Sequence, residues 1–89
     1  MDQTKLLKTI EDIEIKLFET IEEHETPTDN ELWRTTRDYF KGFFAAFRES
    51  VPALKKLSEK DQLLILNNFD TKVKGALTSI VEVNNAIKH

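Results

Sequence analysis

The feature of this sequence that most restricts its fold is a periodic apolar pattern in the last third of the chain. The pattern alternates steps of four and three residues, which is the spacing of a heptad seam along one side of an α-helix. It begins with one polar member and comprises Gln62, Leu66, Phe69, Val73, Ala76, Ile80, Val83 and Ile87. The spacing therefore predicts one helix over about residues 59–87, about 45 Å long if it is straight.

The segment Asn67–Asp70 leaves open a second interpretation of the same region. The two adjacent asparagines are weak helix formers, and Asp70 is a candidate cap for a new helix. The LLIL run just before them is typical of a short helix that is buried on all sides. The heptad phase continues unbroken through both asparagines, however, and this favours a single helix.

A shorter helix is predicted over about residues 4–24. It has one apolar face, and Ile15 lies on the opposite side, where we expect it to be exposed. The helix should end before Pro27, because the residue preceding a proline disfavours helical geometry. The apolar face consists of Leu6, Ile10, Ile13, Leu17 and Ile21.

The second predicted helix, over about residues 29–50, carries most of the aromatic side chains. Its stretch YFKGFFAAF holds four of the six phenylalanines and the single tyrosine. Thr28 and Glu31 form the T-x-x-E pattern of a capping box at its start. Helical spacing places one arc of apolar side chains together. This arc comprises Leu32, Trp33, Thr36, Tyr39, Phe40, Phe43, Phe44, Ala46 and Phe47.

The VPALKKL segment is predicted to connect the second helix to the long one. It has room for about one helical turn, in which Leu54 and Leu57 would face inward. Ser58 precedes Asp61 by three residues and is a candidate N-cap for the long helix.

These elements predict a single all-α domain over residues 1–89. Short connections make neighbouring helices antiparallel, so the expected architecture is an antiparallel three-helix bundle. A break near Asn67–Asp70 would give a four-helix bundle instead. The predicted core contains Leu6, Ile10, Ile13, Leu17, Tyr39, Phe40, Phe43, Phe47, Leu66, Phe69, Val73, Leu77 and Ile80.

The composition argues against catalysis. The chain has no cysteine, which excludes disulfides, thiolate metal sites and cysteine nucleophiles. Its two glycines are far apart and cannot build a phosphate-binding loop. The longest apolar runs, FFAAF and LLIL, are much shorter than a membrane-spanning segment. We therefore expect a cytoplasmic protein that is not an enzyme, has no cofactor and does not insert in a membrane.

The acidic end of the first helix is the one stretch that invites a metal or partner site. Neighbouring helical positions point about 100° apart, so Glu22, Glu23 and His24 cannot converge on one ion. Residues four away from His24 are Thr20 and Thr28, which gives no metal-binding pair. Acidic side chains at the C-terminal end of a helix are unfavourable for its dipole. Glu22 and Glu23 are thus candidates for contact with a basic neighbour or partner.

A basic line on the second helix is the other charged candidate. It comprises Arg34, Arg37, Lys41 and Arg48, beside Trp33 and Phe44 at the edge of the aromatic arc. Nucleic-acid-binding domains usually carry a net positive charge, whereas the net charge here is −3. Pairing between helices is therefore favoured over nucleic-acid binding for this line.

The sequence as a whole favours a small protein-interaction module that acts as an adaptor, inhibitor or chaperone-like regulator. We expect it to self-associate, as a homodimer, through the C-terminal half of the long helix. The expected contact residues are Ile15, Glu22, Glu23, Trp33, Arg37, Lys41, Phe44 and Leu64. The alternative hypothesis is a nucleic-acid-associated regulator that uses the line Arg34, Arg37, Lys41 and Arg48.

Overall fold

A computed structural model describes residues 1–24 and 30–88 of the chain. Within these ranges all regular structure is helical, which confirms the predicted all-α class. The Cα trace measures 47 × 17 × 17 Å along its principal axes. The predicted capping box lies partly outside the described residues, because it includes Thr28. The helices are α1 (Gln3–His24), α2 (Asn30–Glu49), α3 (Val51–Leu54) and α4 (Glu59–Lys88).

Helix α4 runs without interruption through the asparagine pair, so the alternative break does not occur. Its first turn is capped by Ser58, whose Oγ accepts a hydrogen bond from the Asp61 amide at 3.2 Å. The carboxylate of Asp70 does not cap a new helix. It binds Lys74 Nζ at 2.9 Å, one turn further along α4. Such an i, i+4 pair stabilises a continuous helix.

The heptad seam of α4 is buried at its beginning and exposed at its end. Gln62 and Phe69 are buried, whereas Val83 is 56% exposed and Ile87 is 76% exposed. The reason is geometric, because a seam that repeats every 3.5 residues drifts about 20° per heptad on a straight helix. In the C-terminal half of α4, the buried positions are Leu77 and Asn84 instead. The prediction that Ile80 belongs to the core holds only in part, since it is half-buried.

Helix α1 uses the apolar face that its spacing predicts. Its buried residues are Leu6, Ile10, Leu17 and Ile21, while Ile13 is half-buried at the edge. Asp2 caps its first turn, because Asp2 Oδ1 accepts a hydrogen bond from the Lys5 amide at 2.8 Å. Ile15 is exposed, as its position opposite the apolar face indicates.

The aromatic arc of α2 is rotated relative to the predicted core. Tyr39 is 61% exposed and Phe43 is 39% exposed, so both core assignments are wrong. The arc is too wide to be buried completely. Helix α1 covers only the edge of the arc that carries Trp33 and Phe44. Phe44 is buried there, with its ring centroid 6.4 Å from that of Phe18. Phe47, which helical spacing places between Phe43 and Phe44, is half-buried.

The connection between α2 and α4 is held by one buried glutamine. Helix α3 buries Val51 and Leu54, whereas Leu57 is exposed, contrary to the prediction. Gln62 Nε2 lies 3.2 Å from the carbonyl oxygen of Leu54 and 3.3 Å from that of Leu57. Its Oε1 accepts a hydrogen bond from the amino group of Met1 at 2.8 Å. The Gln62 side chain thus joins α3 to α4 and places the start of α1 beside the start of α4.

We predict that Gln62→Leu lowers the free energy of unfolding by about 1–3 kcal/mol, because carbonyl groups lose a buried donor. Urea denaturation followed by circular dichroism measures this change. The matched control is Gln3→Leu at an exposed position of α1, which should change stability by less than about 0.5 kcal/mol. Equal stability of the two variants would show that the amide contacts of Gln62 contribute nothing.

Candidate interaction surface

A set of stacked aromatic rings, of which Tyr39 and Phe43 are exposed, lies where α2 meets α4. The rings of Tyr39 and Phe43 are stacked, with centroids 6.2 Å apart. Phe69 of α4 stacks on Phe43 at 5.3 Å and on Phe47 at 3.9 Å. A shallow groove of about 320 Å³ follows this contact and also includes Ile65, Asn68 and Lys72. The aromatic contacts therefore continue from the core to the solvent-exposed surface.

A single stripe of α4 extends this aromatic surface towards the C-terminal end of the helix. Its members follow one another at steps of four or three residues, on the side of α4 that carries Phe69. The stripe comprises Ile65, Phe69, Lys72, Ala76, Ile80, Val83 and Ile87. On α2, the adjoining positions at helical spacing are Leu32, Thr35, Tyr39, Phe43 and Ala46. We call these two sets of residues the α2/α4 face.

The α2/α4 face is almost free of charge. Of its members only Lys72 is ionisable at neutral pH, although 33% of the residues in the chain are charged. Tyr39, Phe43, Val83 and Ile87 are all exposed large side chains on this face. Depletion of charge and enrichment of aromatic residues are the features that distinguish the centres of protein interfaces. The face can therefore contact another protein by apolar burial.

A second groove, between α1 and α4, has a different character. It encloses about 500 Å³, and its floor is formed by Leu17, Val73 and Leu77. These three side chains are buried in the core, and most of the surface that the groove exposes is nevertheless apolar. The remaining lining is mostly polar or charged and comprises Ile13, Lys16, Thr20, His24, Asp70, Lys74, Thr78, Val81 and Glu82. This groove therefore combines an apolar floor with a charged rim, unlike the nearly uncharged α2/α4 face.

Two of the predicted contact residues belong to the core. Trp33 is 1% exposed and Phe44 is fully buried, so the prediction that they lie at an uncovered edge is wrong. The physical reason is that α1 packs against this edge of α2. The imidazole of His24 stacks on the Trp33 indole with ring centroids 6.3 Å apart. The Trp33 Nε1–H group has no hydrogen-bond acceptor among the described residues.

The predicted basic line divides into exposed and half-buried members. Arg34 and Lys41 are exposed, whereas Arg37 and Arg48 are half-buried. The Arg48 guanidinium forms an ion pair with Glu14 of α1. Part of the line therefore joins α2 to α1, which is the pairing between helices that the sequence favours.

The other predicted contact residues are exposed but do not form one surface. Ile15 lies on the outer side of α1, and Glu22 and Glu23 lie in its last turn. Leu64 is exposed near the opposite end of the molecule, in the second turn of α4. The positions are thus separated along the length of the helices.

Sequence reasoning missed Tyr39, Phe43 and Lys72 as surface residues. Two sequence signals point to them. One is the lack of charge on one side of the second helix, and the other is the 3.5-residue period of the long seam. On a straight helix, an apolar seam with a period shorter than 3.6 residues rotates gradually around the helix axis. Part of such a seam therefore lies outside the core of the bundle.

The described part of the chain gives no sign of a metal site, since no three His, Asp or Glu side chains there lie close enough to share an ion. None of the described helices has a segment long and apolar enough to cross a membrane.

No protein-family model matches the sequence. Searches of curated proteins and of solved structures find no significant match either.

We predict that Phe44→Ala lowers the free energy of unfolding by about 3–5 kcal/mol, because it leaves a cavity between α1, α2 and α4. The matched variant is Phe43→Ala, which removes the same atoms from a partly exposed side chain and should cost less than half as much. Urea denaturation of both proteins measures the difference. A larger loss for Phe43→Ala would instead support the helix orientation that the sequence suggested.

Proposed function

We propose that this chain is a small cytoplasmic, non-enzymatic protein-interaction module that acts by surface contact and associates with itself. In this proposal α1, α2 and α4 form an antiparallel bundle with α3 as a one-turn connector. Such a module suits an adaptor, an inhibitor or a chaperone-like regulator. The observation that carries the proposal is the nearly uncharged α2/α4 face.

The face brings together exposed apolar side chains from two helices, Tyr39 and Phe43 of α2 and Val83 and Ile87 of α4. An isolated exposed apolar residue needs no explanation, but several on one side of a small protein favour a contact site. A second copy of the chain carries the same surface and can cover it.

The energetics favour a reversible association. Complete burial of one large apolar side chain contributes about 1.5–3 kcal/mol, and each of the two copies brings four side chains that are 39–76% exposed. Association of two molecules costs about 4–15 kcal/mol in lost freedom of motion. Since gain and cost are similar in size, we expect a dimer whose population depends on protein concentration.

The nucleic-acid alternative has less support. It depends on the line from Arg34 to Arg48, and Arg48 is already paired with Glu14. The exposed cations Arg34 and Lys41 give only two positions for phosphate contacts.

We predict that Val83→Glu together with Ile87→Glu converts the dimer to a monomer, because both charges would have to be desolvated in the interface. Light scattering after size exclusion, over a range of protein concentrations, measures the mass. The matched control is Ile15→Glu, at an exposed apolar position on the outer side of α1. This control should remain dimeric, and circular dichroism should show all variants to be folded.

A wild-type protein that is monomeric at every concentration would contradict self-association. Dissociation of the dimer by Ile15→Glu alone would locate the contact on α1 instead of on the α2/α4 face.

A further inference from the structure

We propose that the groove between α1 and α4 binds an elongated hydrocarbon molecule that carries a carboxylate at one end, such as a long-chain fatty acid. The groove shares no residue with the α2/α4 face, so this site does not depend on self-association. Three features of the groove support the choice of ligand: an apolar floor, a narrow shape and an uneven distribution of charge along the rim.

The floor of the groove is apolar. Leu17, Val73 and Leu77 form it, and the half-buried side chains of Ile13 and Val81 border it. The groove encloses about 500 Å³, within the range of about 300–1,000 Å³ that is usual for small-molecule sites. Such sites are lined mostly by apolar side chains with a few polar groups. Contact with this floor therefore favours a ligand with a large apolar part.

Two threonines on the walls of the groove offer a ligand no free hydrogen-bond donor. Thr20 Oγ1 donates a hydrogen bond to the carbonyl oxygen of Lys16 at 2.9 Å, and Thr78 Oγ1 donates one to that of Lys74 at 2.9 Å. Both hydroxyl protons are thus used within their own helices. A ligand with acceptors along its length would leave them unpaired, which costs free energy. A hydrocarbon chain has no such groups to satisfy.

The groove is long and narrow. It follows α4 from Asp70 to Glu82, which is about 18 Å of helix. The volume of about 500 Å³ spread over this length gives a mean cross-section of about 28 Å². An α-helix with its side chains is about 10–12 Å across, so a helix of a partner protein is too wide to enter. An extended hydrocarbon chain is slender enough to reach the floor.

Charge is distributed unevenly along the rim of the groove. Helices α1 and α4 begin at the same end of the molecule and run in the same direction. Lys16 and Lys74 therefore belong to the half of the groove nearer these starts, and Glu82 belongs to the other half. Lys74 binds Asp70 at 2.9 Å, whereas neither Lys16 nor Glu82 forms an ion pair within the described residues. One half thus has an unpaired cation and the other an unpaired anion.

This distribution of charge orients the ligand. Side chains on a helix lean towards its N-terminus, so the Lys16 ammonium group lies towards the start of the groove. A carboxylate there gains a charge-assisted contact. At the far end it would instead meet Glu82, with the exposed Glu22 and Glu23 in the last turn of α1 nearby. The carboxylate is therefore placed beside Lys16, with the hydrocarbon chain extending along the floor towards Glu82.

Isothermal titration calorimetry with dodecanoate, below its micelle-forming concentration, tests this site. We expect saturable binding of one dodecanoate per chain. Dodecyltrimethylammonium has the same hydrocarbon chain and a cationic head group, and it should bind at least about fivefold more weakly. Absence of dodecanoate binding, or equal affinity for the two compounds, would overturn the proposal.

Two pairs of variants locate the site. Lys16→Glu should weaken dodecanoate binding about fivefold or more, because it replaces an attractive charge by a repulsive one. Its control is Lys5→Glu, at an exposed position of α1 outside the groove, which should bind as the wild type does. Thr78→Trp places a bulky ring in the groove and should abolish binding, whereas Thr71→Trp, on α4 outside the groove, should not.

All four positions are exposed, so circular dichroism should show each variant to be folded. Unchanged affinity of the folded Lys16→Glu protein would rule out the carboxylate contact. Equal affinities of the two tryptophan variants would place the ligand elsewhere, and either result would overturn the proposal.

Discussion

The period of a straight α-helix decides which side chains of α4 meet the core. The apolar seam of this helix repeats every 3.5 residues, whereas the helix itself repeats every 3.6, so the seam turns slowly away from α1. Gln62 and Phe69 are consequently buried, and Val83 and Ile87 reach solvent. A seam of this period stays buried along its whole length when the helices supercoil around each other, or when a further helix covers it. The exposed surface of the protein, and the dimer that we propose, both depend on this mismatch.

The ion pairs of this fold connect residues of the same chain, whereas the α2/α4 face is nearly uncharged. The Arg48–Glu14 pair joins α2 to α1, and the Asp70–Lys74 pair lies along α4 itself. On α1, Asp12 forms a hydrogen bond with Lys8 and, as the nearest negative charge, raises the pKa of the Lys8 ammonium group. None of these three pairs lies on the α2/α4 face, whose members include one lysine and several stacked aromatic rings. Because the α2/α4 face is nearly uncharged, the proposed contact with a partner depends on the burial of apolar side chains.

One buried polar side chain holds the connections of the helices. Gln62 donates a hydrogen bond from its amide nitrogen to the carbonyl oxygen of Leu54 in α3, and its amide oxygen accepts one from the amino group of Met1. An apolar residue would fit the seam equally well but would leave these groups without partners. The glutamine therefore sets where α4 begins relative to α1 and α3. The position of α4 in turn determines how far the stripe from Ile65 to Ile87 extends beside α2.

The amino-acid sequence by itself determined the helical class, the continuity of α4 and the apolar face of α1. These properties depend on local spacing and on backbone preferences, which a sequence displays directly. Only the tertiary structure decided which part of the wide aromatic arc of α2 is buried. Trp33 and Phe44 became core residues because α1 packs on their side, while Tyr39 and Phe43 were left exposed. The choice depends on which neighbour covers each edge of the arc, and helical periodicity alone carries no information about neighbours.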